Sequence, residues 1–154
     1  MNQYEEKIKT YLQKNNIKGE HLSFSQSCHS VKDAAKTVNA NVDDFVKNIC
    51  MVDLNGNLIV AIVKGEDRAS TSKVGKVLNI ERPRTAVPDE ILQRTGFPCG
   101  GTPSFGYSAK FLIDPRVMEK EVVFSGGGSE ASLIKISTKE LQKANNGEIV
   151  RVRK

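Results

Sequence analysis

Phe45-Val46-Lys47-Asn48-Ile49-Cys50-Met51-Val52 and Leu58-Ile59-Val60-Ala61-Ile62-Val63 flank Asp53-Leu54-Asn55-Gly56-Asn57, and this stretch decides the fold. Two apolar, β-branched runs joined by a segment that supplies positive φ angles predict an antiparallel hairpin. Outward from it, Tyr4, Ile8, Tyr11 and Leu12 recur at helical spacing, so residues 3–15 read as an amphipathic helix that ends at Asn15-Asn16. A short strand over His21 to Phe24 follows. Ser30 is suited to N-cap a second helix, with Asp33 in its first turn and Val31, Ala34, Ala35 and Val38 on its apolar side. Beyond the hairpin, Ser70 to Leu78 reads as a helix, and Pro88 to Thr95 as another with Gly96 as its stop. Strands are expected at Ala109 to Ile113, Glu121 to Phe124, Leu133 to Ile136 and Ile149 to Val152, with a helix over Thr138 to Ala144 before the last of them. Strands in hairpin-compatible pairs, irregularly interrupted by helices, predict an α+β (mixed α/β) class with a curved mixed sheet. No repeat, linker or low-complexity tract divides the chain, which reads as one domain over 1–154.

The 154 residues are 38% hydrophobic and 27% charged, enough for a full core without disulfide or metal staples. The longest uninterrupted apolar run, Leu58 to Val63, is far short of the roughly 20 residues of a membrane span, so no membrane partner is expected. The N-terminus is polar and acidic where a secretory signal is basic and then apolar, which predicts a cytoplasmic protein. Three cysteines at wide spacing, Cys28, Cys50 and Cys99, suit neither a disulfide framework nor a zinc ribbon, and are expected to be thiols. His21 and His29 are the only histidines and do not share a metal-binding spacing, so neither a metal nor another cofactor is expected. Lys and Arg number 23 against 18 Asp and Glu, and the net charge of +5 favours a polyanionic partner such as nucleic acid without requiring one.

Chemistry concentrates at the glycines. Cys99-Gly100-Gly101-Thr102-Pro103-Ser104-Phe105-Gly106 and Ser125-Gly126-Gly127-Gly128-Ser129 let a ligand approach backbone N–H groups that could cradle a phosphate or an oxyanion. The alternative is two loops that merely close strands, and neither cluster matches a phosphate-binding fingerprint. Ser70-Thr71-Ser72-Lys73 satisfies a Ser-x-x-Lys pattern but reads as a helix N-cap. Ser104 lacks the glycine two places earlier that a nucleophile elbow needs, Cys99 has no histidine near it in sequence, and Cys50 reads as a core residue. His29 is the one histidine placed as a candidate acid or base. Alternation puts Lys47 on the face of Phe45, Ile49 and Met51, where a lysine either reaches for the rim or is positioned for an anion.

Together these pieces resemble the YbaK and prolyl-tRNA synthetase-associated editing-domain family, free-standing aminoacyl-tRNA deacylases, over about Ser25 to Leu141. The carriers are Ser30-Val-Lys-Asp-Ala34-Ala35, similar to the family's Thr-x-x-x-Ala-Ala helix; Val46-Lys47, similar to its Val-Lys-Thr-Leu strand; Thr95-Gly96-Phe97 followed by Gly100-Gly101 and Phe105-Gly106; and Phe124-Ser125-Gly126-Gly127, similar to its late Ser-Ala-Gly turn. Two departures bear on pocket shape and substrate. Pro103 stands one place earlier than the family's Gly-x-x-x-Pro register, which would put proline at Ser104, and Asn48 occupies a position that many members fill with Thr. Members that act on alanyl-tRNA(Pro) share the Asn but carry a histidine before the closing strand, and none lies near Ser125 here.

The resemblance implies a partly barrel-like domain surrounded by helices and hydrolysis of the ester of a mischarged tRNA, typically cysteinyl- or alanyl-tRNA(Pro). It implies no metal and no protein nucleophile, a tRNA 3′ end as partner, and prolyl-tRNA synthetase as a second one. It assigns catalysis to Lys47, Gly100 and Gly101, with the amides of Gly100, Gly101 and Thr102 holding the oxyanion. Substrate contacts fall on Asn48, Thr102, Pro103, Ser104, Phe105, Gly106, Ser125, Gly126 and Gly127. Two other readings stay open: a non-catalytic tRNA- or synthetase-binding module, and a hydrolase of another small ester or acyl adduct.

Overall fold

Asp53 makes the hairpin turn: its carboxylate accepts the Asn55 N–H at 2.9 Å and the Asn57 N–H at 2.8 Å, and Gly56 supplies φ +79°. The computed structural model describes residues 2–27 and 30–154; Cys28 and His29 lie outside the described residues. Chain order is α1 (Gln3–Lys14), β1 (Gly19–Ser23), α2 (Val31–Thr37), β2 (Val46–Val52), β3 (Leu58–Lys64), α3 (Thr71–Leu78), β4 (Arg84–Thr85), α4 (Pro88–Thr95), β5 (Lys110–Ile113), α5 (Pro115–Met118), β6 (Val122–Gly126), β7 (Ser132–Ser137), α6 (Thr138–Asn145) and β8 (Glu148–Ile149), with 3₁₀ turns at Val42–Asp44 and Cys99–Gly101.

The class is α+β. β2 pairs antiparallel with β3, from Val46 opposite Lys64 to Val52 opposite Leu58. β5 adds parallel to β3 and β8 parallel to β5, giving the order β4-β2-β3-β5-β8. Every residue of the central strand β3 is buried, which explains why Leu58 to Val63 is a continuous apolar run without alternation. β1, β7 and β6 form a second, antiparallel sheet. The two sheets meet at a bridge from Phe45 to Phe124, whose rings stack at 4.9 Å. The expected curved mixed sheet is thus divided in two, and no barrel closes among the described residues.

One core fills the space between the sheets, with Ile8 and Leu12 of α1, Phe97, Phe105 and Leu141 packed on the even-numbered face of β2 and β3. Each fully buried aromatic ring there contributes about 2–3 kcal/mol. The opposite face packs Met51, Ala61 and Val63 against Val74 of α3. α2 lays Ala34 and Ala35 over Phe45 and Leu133, the close approach that small side chains allow. No helix of the described residues is long and apolar enough to cross a membrane.

The helices keep their expected caps. Ser30 accepts the Asp33 N–H and Ser70 the Lys73 N–H, both at 3.1 Å, so the Ser-x-x-Lys pattern is a helix start. Strand bounds differ from expectation in several places: β4 was not expected, and β6 runs on to Gly126 past the expected Phe124. β1 begins at Gly19 and ends at Ser23, because its pairing with β7 sets Gly19 opposite Ile136. The last strand stops at Ile149 where Val152 was expected. Asp114, fully buried one residue past β5, diverts the chain: its carboxylate accepts the Val152 N–H (3.0 Å), the Arg153 N–H (3.2 Å), the Arg116 N–H (3.1 Å) and the Arg153 guanidinium (2.7 Å). The Arg116 bond also caps the short helix α5, which the Asp-Pro pair foreshadows but periodicity does not.

Burial acts to raise the Asp114 pKa, but these donors outweigh it and hold the carboxyl below its ordinary value. A depressed folded-state pKa stabilises above the unfolded value of 3.8 and is lost as pH falls through the folded one. Asp114→Ala is expected to cost about 3 kcal/mol at neutral pH by leaving these donors unmatched. In acid titrations followed by circular dichroism, the variant's deficit should shrink below pH ~4. A deficit that stays constant down to pH ~2 would contradict this account.

Candidate functional site

β2 carries two polar side chains in succession, and alternation sends them to opposite faces. Asn48 points inward to a closed ring of hydrogen bonds. Ser104 Oγ donates to Asn48 Oδ1 at 2.7 Å, so its other contact, Ser125 Oγ at 2.7 Å, must donate to it; Ser125 Oγ then receives Asn48 Nδ2 at 3.5 Å. Asn48 Nδ2 also donates to the Thr102 carbonyl at 3.0 Å, which sets the orientation of the amide. Side chains 56 and 77 residues away from Asn48 are thereby locked to one strand position.

The two glycine clusters meet backbone on backbone. The Gly128 N–H donates to the Gly101 carbonyl at 2.8 Å. A Cβ at Gly126 would stand 2.2 Å from the Thr102 carbonyl oxygen, and one at Gly101 would stand 2.3 Å from the Ser129 nitrogen. Both glycines are required by that approach, a structural demand separate from any ligand.

Beside this junction lies an open cavity of about 380 Å³. It is bordered by Lys47 and Asn48 from β2, Gly100 and Thr102 from the first glycine segment, and Ser125 and Gly126 from the second. Residues far apart in the chain therefore share one space. The half-buried Lys47 donates from Nζ to the Asp67 carbonyl at 2.9 Å, which leaves two ammonium hydrogens for another acceptor. The Gly100 N–H, at the start of the 3₁₀ turn, has no acceptor among the described residues.

The other expected site residues lie behind this wall. The Gly101 N–H is bonded to the Pro98 carbonyl at 2.9 Å, so it is not one of the exposed donors expected. Pro103 accepts the Tyr107 hydroxyl at 2.6 Å through its carbonyl, and Ser104, fully buried, supports Asn48. Phe105 is a core ring stacked on Tyr11, and Gly106 takes φ +99° over Ile8. The Gly127 carbonyl accepts His21 Nε2–H at 2.8 Å. These five, with Gly101, do not border the cavity.

Sequence reasoning missed the apolar wall, formed by Ala34, Ala86, Ile91, Phe124 and Leu133, and the two cysteines that join it. Cys50 is buried as expected yet borders the cavity, and burial, with a smaller effect of Cys99, pushes its thiol up to about 12. It is therefore a protonated wall residue at neutral pH and not a thiolate. Glu130 stands over Gly100 at the rim. No three His, Cys, Asp or Glu side chains among the described residues come together as metal donors. What the arrangement offers is a small apolar chamber bordered by Lys47, whose Nζ is bonded to the Asp67 carbonyl, and by Gly100.

A family model described as an aminoacyl-tRNA editing domain matches residues 25–144. The crystal structure of a candidate trans-editing enzyme for prolyl-tRNA synthetase superposes with a TM-score of 0.93 at 22% identity, covering 100% of this chain and 99% of that one. A scaffold protein used for computational grafting of linear epitopes matches at 0.91 and 18% identity, covering 100% and 99%. The uncharacterized protein YwhH of Bacillus subtilis (strain 168) is 23% identical over 138 residues, 88% of this chain and 87% of that protein.

The glycine junction and the ring make separable predictions for stability. Ser104→Ala is expected to cost about 1–3 kcal/mol in chemical denaturation, because Asn48 Oδ1 loses its donor in the interior. Gly126→Ala should cost about 1–3 kcal/mol through the collision with the Thr102 carbonyl. Wild-type stability in either variant would refute the corresponding contact.

Proposed function

This chain belongs to the aminoacyl-tRNA editing-domain family, and we propose that it is a trans-acting deacylase that hydrolyses the ester of a mischarged tRNA, with cysteinyl- or alanyl-tRNA(Pro) as the first substrates to test. The observation that carries the reading is the shared cavity, where Lys47 and Gly100 border the same space. In this mechanism the Lys47 ammonium binds the terminal phosphate or the ribose and orients the ester. The Gly100 N–H receives the scissile carbonyl and the oxyanion that forms from it. Water attacks the carbonyl carbon, the bond to the ribose oxygen breaks, and that oxygen takes the proton, helped by its neighbouring hydroxyl. Free amino acid and tRNA are the products.

An aminoacyl ester is already activated, so one oxyanion donor worth about 3 kcal/mol and a positioned water suffice without a protein nucleophile. The protonated Cys50 agrees with that. Asn48 and Ser125 hold the cavity floor, and Thr102 and Gly126 shape its edge. The apolar wall sieves the amino acid by size, at about 1–3 kcal/mol per methylene. A net charge of +5 suits tRNA phosphates, so the reaction should weaken as salt rises. Prolyl-tRNA synthetase is the partner to which this reading points.

The test is a panel of misacylated tRNAs incubated with purified protein. Deacylation of at least one member is expected; binding with no deacylation of any member would replace this reading with a non-catalytic binding module. Lys47→Ala should lower deacylation by about 10²-fold or more while the melting temperature stays within a few degrees. Full activity in that variant would overturn the role given to Lys47.

A further inference from the structure

A buried charge outside the cavity has no part in the mechanism above. Glu5 stands in the first turn of α1, before the span 25–144 that the family model matches, and is 5% exposed. Its Oε1 accepts Ser23 Oγ–H at 2.5 Å and its Oε2 accepts Ser129 Oγ–H at 2.8 Å. Burial opposes the charge, but the two hydroxyls and the nearby His21 outweigh it, so the carboxyl stays below its ordinary value and is ionised at neutral pH. Helix capping does not account for Glu5, because Asn2 already caps α1 by accepting the Glu5 N–H at 2.9 Å.

Its contacts lead to the second glycine segment. Ser129 Oγ, held by Glu5, also accepts the Ala131 N–H at 3.0 Å, and the Ser129 N–H reaches Ser132 Oγ at 3.0 Å. Gly128, at φ +104°, lies so close under α1 that a Cβ would be 2.7 Å from the Tyr4 carbonyl oxygen. From there the Gly128 N–H reaches the Gly101 carbonyl, in the turn that presents Gly100 and Thr102 to the cavity.

We infer that Glu5 is a positioning residue: through Ser129 its carboxylate seats the Gly126–Ser129 segment against the Cys99–Gly101 turn, and so sets the aim of the Gly100 N–H. The inference rests on the deacylase reading for its kinetic consequence and on geometry alone for the loop. The two hydroxyls on Glu5 provide an internal control, because Ser129 lies on the glycine segment and Ser23 lies on β1.

The experiment compares Glu5→Ala, Glu5→Gln, Ser129→Ala and Ser23→Ala with wild type, by deacylation kinetics on the substrate found in the panel and by backbone amide NMR of the ligand-free protein. Glu5→Ala and Ser129→Ala should each lower kcat about tenfold or more with KM within about twofold, and shift the amide resonances of Gly100, Gly101 and Thr102. Glu5→Gln, which keeps the shape and one acceptor, should recover part of kcat, while Ser23→Ala should leave kcat and those resonances near wild type. The proposal is overturned if Ser23→Ala is as damaging as Ser129→Ala. It is equally overturned if resonance changes in Glu5→Ala stop at α1 and β1, or if KM rises while kcat holds. Wild-type protein that deacylates no tRNA overturns the functional reading alone, and the amide shifts then decide the role of Glu5. If Glu5→Ala does not fold, Ser129→Ala and Glu5→Gln carry the same comparison.

Discussion

Two pieces of main chain, Cys99 to Thr102 and Gly126 to Ser129, lie closer together than any side chain would permit, and the arrangement of the cavity follows from that approach. At Gly126 and Gly101 even a methyl group would overlap backbone atoms of the other segment. The Gly128 N–H bonded to the Gly101 carbonyl holds the two together across 27 residues of sequence. Because the contact is between backbones, its geometry is rigid, and the Gly100 N–H at its edge inherits that rigidity. Electrostatic stabilisation of a developing charge needs such a donor, fixed before the reaction begins.

Around the junction, polar groups differ in how fully their hydrogen bonds are engaged. Asn48, Ser104 and Ser125 complete one another's hydrogen bonds inside the protein, where an unmatched group costs about 1–3 kcal/mol. Lys47, one residue earlier, is half-buried and anchored at a single carbonyl, with donors left over. The same division separates Asp114, whose acceptors are fully engaged in ordering the C-terminal segment, from the groups that border the cavity.

The hairpin β2–β3 explains why one strand serves both core and site. β3 is buried along its whole length and is apolar from Leu58 to Val63, its one charged residue, Lys64, being paired with Asp43 and Glu66, so the polar side chains that border the cavity come from β2, next to it. The even-numbered face of β2 ends in the main core at Val52 and in the cavity at Asn48, and Cys50 between them belongs to both. A residue can thus read as core and border the site. Membership in the editing-domain family, and a backbone that superposes at a TM-score of 0.93, show that this frame is shared at 22% identity. The departures at Asn48 and Pro103 fall inside the frame and leave it intact.

Local patterns in the chain were enough for the α+β class, the hairpin and its turn, the helix starts at Ser30, Ser70 and Pro88, and the interest of Lys47 and the glycine clusters. Each of these depends on neighbours within about four residues, through caps, alternation and positive φ angles. Tertiary structure alone decided the division into two sheets, the early end of the last strand at Ile149 and the placement of Gly101, Pro103, Ser104, Phe105, Gly106 and Gly127 behind the cavity wall. It also brought Glu5 to Ser129, 124 residues away. The physical reason is that these outcomes depend on which backbone groups find partners across long separations. Asp114 takes the Val152 and Arg153 amides, Pro98 takes the Gly101 amide, and residue type at those positions carries no record of either.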